Sequence, residues 1–305
     1  MVGETGTGKT SLINAMINYI LGVRWEHKIW LEVAEVSENQ TESQTTAVTV
    51  YEVFPKGSPF SLTIIDTPGQ GDTRGLDKDK LVPEILQLLF RSEDGIHDID
   101  AVCLVLKATD ARLHERQLYI LDEVLSLFGK DIENTSLYSS QMLIKPFEKA
   151  LDCIKVAKIP CAKTTNGQPV YFKFNNCQSD SYDEEDRENY KDLWDSGIEN
   201  FQQFFAYLNG IPPKSLNMTE GVLRARKQLD ANVNNLKDRI KLPEKIRLVE
   251  ECYQCFEKLL ETALKSTSMS SIQHLDFMIE KMKETGKQER VLKLEELKRR
   301  AQERK

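Results

Sequence analysis

A chain of 305 residues holds one α/β domain of roughly 200 residues plus a smaller appendage. Hydrophobic residues make up 40% of it, enough for an ordinary soluble core, while a net charge of −7 argues against a broad nucleic-acid-binding surface. No apolar run approaches the ~18 residues of a membrane span, and neither a signal-peptide pattern nor a lipidation box is present, so the expected location is the cytoplasm.

Gly3, Glu4, Thr5, Gly6, Thr7, Gly8, Lys9 and Thr10 have the spacing G-x-x-x-x-G-K-[ST]. Glycines in such a loop let backbone N–H groups turn inward around phosphates. The ammonium of Lys9 would reach the β and γ oxygens, and the hydroxyl of Thr10 would ligate Mg²⁺. With Ser11 in the first helical turn, these residues form the expected nucleotide-contact set. Leu12, Ile13, Met16, Ile17, Ile20 and Leu21 then fall on one face of a helix whose dipole favours the same anion. Only Met1 and Val2 precede Gly3, where a buried strand normally leads into the loop. The reading is that the first strand is missing and that an N-terminal piece is absent.

A polar stretch from Glu35 to Thr46 precedes an expected strand at 47–54, with Val48, Val50, Tyr51 and Val53. The threonine that senses a γ-phosphate and its metal belongs in that stretch. Thr45 is favoured for this catalytic and metal-ligating role, with Thr46 and Thr41 as rivals. A second strand is expected at 61–66, joined to the first by a short turn around Lys56-Gly57-Ser58-Pro59. It carries Leu62, Ile64 and Ile65 and ends in Asp66-Thr67-Pro68-Gly69. A strand ending in D-x-x-G puts a carboxylate beside the metal's water shell and a glycine N–H at the γ-phosphate. Gln70 follows directly, where a side chain could orient the attacking water; the alternative is a solvated turn residue. Arg74 could approach a phosphate in cis or across a dimer, or be a surface charge.

Further on, a helix is expected near 78–91, a strand at 100–106 buried on both faces, and a helix at 113–128. A helix at 146–157 leads to a strand at 169–174, an acidic loop at 179–189 and a helix at 190–208. Strands alternating with helices give a mostly parallel sheet covered on both sides, a three-layer α/β/α fold. Ile211-Pro212-Pro213 marks a boundary between an α/β domain, 1–210, and a helical extension, 214–305. In the extension, Val222, Leu229 and Leu236 recur every seven residues, two heptads of a coiled-coil or hairpin seam. Pro243 breaks it, and two helices are expected at about 244–265 and 270–304. The six cysteines are scattered, and Cys252-Tyr-Gln-Cys255 lies inside an apparent helix without a second ligand pair, so reduced, packed thiols are expected. The four histidines have no metal-ligand spacing.

The phosphate loop, the phrase T-I-I-D-T-P-G-Q-G-D-T-R-G at 63–75 and the phrase Y-F-K-F-N-N at 171–176 resemble one group of proteins. They are similar to the immunity-associated-protein and septin-like P-loop GTPases of the translation-factor-related class, over about residues 1–210. The resemblance implies a cytoplasmic guanine-nucleotide switch with GTP or GDP and Mg²⁺ as cofactors, a homodimer through the G domain, and slow hydrolysis of GTP. It carries Lys9 and Thr10 over as phosphate and Mg²⁺ contacts, Asp66 as the outer-shell Mg²⁺ carboxylate, Gly69 as the switch glycine, and Asn175 or Asn176 as neighbours of the base. The helical extension would relay nucleotide state to helical partner proteins.

One motif departs from the pattern. The guanine-reading [NT]-K-x-D should follow the 113–128 helix and a short strand, yet only Gly129-Lys130-Asp131 occurs, directly at the helix end. Leu143-Ile-Lys-Pro-Phe-Glu148 has no acid two after its lysine, and residues 134–150 read as replaced sequence. Two other readings stay open: an ATP-binding P-loop NTPase, and a helical scaffold with a vestigial nucleotide site.

Overall fold

The computed structural model describes residues 1–4, 6–34, 48–56, 61–68, 76–107, 115–141, 154–155, 158–176, 183–237, 242–265, 269–283 and 287–303. Its first half is an α/β unit. β1 (Thr49–Val53) and β2 (Leu62–Asp66) pair antiparallel, from Thr49 opposite Asp66 to Val53 opposite Leu62. β4 (Val102–Lys107), β5 (Ser136–Gln141) and β6 (Tyr171–Phe174) form a parallel sheet in that order. Met1 and Val2 lie between the two pieces. Val2 N–H donates to Cys103 O at 2.9 Å and Val2 O accepts from Val105 N–H at 2.7 Å, a parallel bridge to β4. On the other side, Met1 N–H donates to Ile65 O at 2.7 Å and Met1 O accepts from Thr67 N–H at 3.4 Å. These two residues thus stand in the position of the expected first strand.

Alternation along β4 builds the layers. Val102, Leu104 and Leu106 face one cluster with Leu86 and Phe90 of α2 (Leu76–Arg91) and Leu121, Val124 and Leu125 of α3 (Glu115–Leu125). Cys103 and Val105 face the other, with Leu12, Ile13, Met16 and Ile17 of α1 (Lys9–Ile20) and Phe201, Phe204 and Phe205 of α4 (Arg187–Gly210). Side chains one apart point to opposite faces, so an unbroken apolar strand must be covered twice. A three-layer α/β/α arrangement follows, with the sheet covered on both faces. β5 is the strand that residues 134–150 conceal in the sequence: Ser136-Leu-Tyr-Ser-Ser-Gln141 is polar, yet it pairs on both edges. Of the expected 146–157 helix, only Ile154–Lys155 are among the described residues, and they are helical.

The second half is helical: α5 (Asn217–Lys237), α6 (Leu242–Thr262), α7 (Met269–Lys283) and α8 (Gln288–Glu303). The seam residues Val222, Leu229, Val233 and Leu236 are buried with Phe256 and Leu259 of α6, Met278 and Met282 of α7, and Leu294 and Leu297 of α8. The expected single helix over 270–304 is two helices. Gly286 lies between them, and glycine costs about 1 kcal/mol in a helix interior. Lys283–Glu295 (3.1 Å) and Lys298–Asp276 (2.5 Å) then tie α7 to α8 side by side. Among the described residues, no helix is long and apolar enough to cross a membrane.

The halves meet at the C-terminal end of α3. Arg226 of α5 donates to Ser126 O (2.7 Å), Ser271 Oγ (3.3 Å) and Lys265 O (3.3 Å). Leu264 N–H donates to Phe128 O at 2.8 Å, and Gly129 N–H to Thr219 Oγ1 at 3.0 Å. A Cβ on Gly129 would stand 2.6 Å from Asp131 Oδ1 and 2.7 Å from Met218 Cγ, so a larger residue would push these two side chains aside. Leu216, Leu223 and Leu264 complete the junction by joining the α2/α3 cluster. A two-residue ribbon, β3 (Asp98–Ile99) with β7 (Lys214–Ser215), closes it at the chain crossing.

Candidate nucleotide site

The loop at 3–8 leaves the sheet where Val2 pairs with β4, at the C-terminal edge of the parallel strands, the edge at which open α/β sheets hold ligands. Gly3 lies so close to β4 that a Cβ there would be 2.4 Å from Val105 O. Gly6 (φ 77°) and Gly8 (φ 84°) take the left-handed conformation, and Gly8 is the N-cap of α1. Left-handed glycines turn successive N–H groups to one side, and the first helical turn, Lys9-Thr10-Ser11-Leu12, contains no carboxylate to compete for them. Thr7 closes the loop on itself, its hydroxyl donating to Glu4 O at 2.9 Å.

Lys9 is only 6% exposed, and its ammonium folds over the loop, donating to Gly3 O at 2.8 Å and Glu4 O at 3.1 Å. Burial pushes its pKa down to about 8, against the opposing pull of the Asp66 and Glu4 carboxylates. Asp66, 1% exposed, ends β2 beside it. Thr67, the next residue, is pinned by its hydroxyl, which donates to Met1 O at 3.0 Å. Thr10 and Ser11 sit half-buried in the first turn of α1. This loop, with its glycines, empty first turn and buried ammonium, fits a polyphosphate.

Asn175 and Asn176 follow β6 at the same edge of the sheet. Both polar atoms of the Asn176 carboxamide are buried and have no hydrogen-bond partner among the described residues. A buried amide left so costs about 1–3 kcal/mol, which a base edge could offset. Asp131 lies elsewhere: it belongs to the 3₁₀ turn Lys130–Thr135 that enters the N-terminal end of β5, the opposite edge of the sheet. It is therefore not placed to read a base. Thr5, Thr41, Thr45, Thr46, Gly69, Gln70 and Arg74 lie outside the described residues.

Three residues escape the motif-based reading. Asn14 and Asn18, one turn apart on α1, are buried and hold the segment that leaves the helix. The Asn14 amide bonds Val33 N–H (3.0 Å), Ala34 N–H (2.8 Å) and Ala34 O (2.9 Å), and the Asn18 amide bonds Leu31 N–H (2.9 Å) and O (2.7 Å). Two amides at i and i+4 within an apolar helix were the available signal. The third is Lys107, the charge that ends the apolar run of β4: its Nζ lies 3.7 Å from where a Cβ on Gly6 would be.

Residues 1–137 match the model of the AIG1 family. Among curated proteins, the chain is 25% identical over 206 residues to Septin-1 of Drosophila melanogaster, covering 63% of this chain and 53% of that protein. The chain thus spans about half the length of the curated relative it matches. Among solved structures, it is similar to a dimerization-deficient mutant of Toc33 from Arabidopsis thaliana, with 17% identity, a TM-score of 0.42, and coverage of 65% of this chain and 82% of that one.

Proposed function

From an AIG1-family domain of the septin-like P-loop GTPase kind at its N-terminal end, we propose that this chain is a guanine-nucleotide switch that binds Mg²⁺·GTP and hydrolyses it slowly. The observation that carries the reading is the loop itself: left-handed Gly6 and Gly8, and Lys9 buried beside Asp66. In this reading the loop N–H groups and the Lys9 ammonium, swung from the Gly3 and Glu4 carbonyls, hold the β and γ oxygens. Lys9, Thr10 and Ser11 begin the helix whose dipole supports the same charge. A bound Mg²⁺ would neutralise phosphate charge, with Thr10 as a ligand, Thr45 as a second and Asp66 orienting its water shell. Among the described residues no group of three His, Cys, Asp or Glu side chains is set to hold a metal ion, and this arrangement requires none. Gly69 would meet the γ-phosphate, Gln70 the attacking water, and Asn175 and Asn176 the base.

The proposal extends to organisation. Residues 1–210 form the G domain and 214–305 a helical extension that offers its outer faces to helical partners. The switch acts in the cytoplasm and pairs through its G domain.

Titration of purified protein with fluorescent GTP and ATP analogues, with and without Mg²⁺, tests the reading. Mg²⁺-dependent GTP binding is expected, with preference over ATP of about tenfold or less. Reading guanine through an amide in place of a carboxylate forfeits charge-assisted bonds worth about 1.5–3 kcal/mol. No binding of either nucleotide by the folded protein would refute it.

A further inference from the structure

We propose that Lys107 is a second phosphate-binding cation of the loop; this rests on the nucleotide reading above and adds to it a residue outside every motif. The placement follows from β4. Cys103 and Val105 point to the α1 side of the sheet, and Lys107 continues that row one step past the core. Val105 O is the atom against which Gly3 is packed, and Lys107 stands two residues further toward the C-terminal edge. Its ammonium ends 3.7 Å from where a Cβ on Gly6 would be, over the middle of the loop. Gly6 has φ 77°, so the lysine reaches the loop at a residue whose backbone has already turned its N–H groups to one side.

The two ammonium groups differ in state. Lys9 is buried and occupied by two carbonyls, while the Lys107 side chain is exposed and its ammonium makes no hydrogen bond or ion pair with any described residue. An exposed ammonium with a long flexible stem costs little to reorganise, and a polyanion in the loop is the only ligand chemistry that the neighbouring N–H groups would share with it. The cation acts on charge and so should favour longer phosphate chains: triphosphate and diphosphate over monophosphate.

The experiment uses the full chain and its Lys107→Gln, Lys107→Ala and Lys107→Arg variants, with circular dichroism to verify the fold. Fluorescent GTP, GDP and GMP are titrated at low and moderate salt. For Lys107→Gln and Lys107→Ala, GTP and GDP affinity should fall about tenfold, GMP affinity should change least, and the salt dependence should become shallower. Lys107→Arg should restore binding to within about twofold. Unchanged GTP and GDP affinity in folded Lys107→Gln would overturn the assignment. So would an equal loss for all three nucleotides that arginine fails to rescue, because that marks a structural role. If Lys9→Ala abolishes binding while the Lys107 variants bind normally, the loop reading survives and this inference alone fails. If wild-type protein binds no nucleotide, both fail.

Discussion

The α/β half and the helical half of this chain bury the same kinds of side chain but put their polar groups to different uses. In the helical half, several of the ionic contacts among the described residues are exposed pairs one turn apart, such as Arg224–Glu220, Arg247–Glu251 and Lys293–Glu289. Pairs of that kind add roughly 0–1 kcal/mol each, so the four helices are held by their apolar seam. In the α/β half, the polar groups of interest are buried: Lys9, Asp66, Asn14, Asn18 and the Asn176 amide. Burying such groups is expensive without a partner or a ligand. On the proposed reading, the difference separates a region held mainly by its apolar seam from one whose loop is arranged around an anion.

That contrast can be broken from either side. Phe256→Ala, in the middle of the helical core, should lower stability by about 3–5 kcal/mol in urea unfolding. If the halves are distinct units, nucleotide affinity measured below the transition should stay near wild type. Lys9→Ala should do the reverse: it should weaken triphosphate binding by roughly 1.5–3 kcal/mol in calorimetric titration, with little change in the unfolding of the helices.

The junction can be probed alone. Gly129→Ala forces a methyl group against Asp131 and Met218 and should cost about 1–3 kcal/mol of stability. An unaffected midpoint would mean that the helices separate freely from α3.

The smallest effect is one of pH. Because the folded state lowers the Lys9 pKa to about 8 from an ordinary 10.5, the unfolded chain binds more protons between those values. The burial penalty is therefore fully present below pH 8 and is relieved as pH rises from 8 to 10.5. Unliganded wild type should gain stability over that window relative to Lys9→Met, which has no proton to lose. A parallel course of the two unfolding curves would show that Lys9 is not desolvated.

Much of this was legible in the sequence, for identifiable reasons. Phosphate loops use few residue types because few backbones turn their N–H groups inward, so Gly3, Gly6, Gly8 and Lys9 announce themselves. The β4 run and the seven-residue recurrence in α5 are read from periodicity alone. β5 was not, because Ser136, Ser139 and Ser140 look like loop; the backbone becomes a strand through hydrogen bonds to β4 and β6, two partners distant in sequence. The docking of the helices was also hidden. Much of it runs through backbone acceptors, Ser126 O, Phe128 O and Lys265 O, which carry no sequence signature. Lys107 carries no motif signal, because strand-end lysines are common, and only the fold brings its ammonium to Gly6.

Hydrogen exchange with and without Mg²⁺·GTP tests the central claim most directly. The amides of residues 3–12 and of Thr67 should gain protection when nucleotide is added, while those in the middle of α6 and α8 should exchange as before. Unchanged exchange across residues 3–12 at saturating nucleotide, in protein shown to be folded, would contradict the claim that this loop is the nucleotide site.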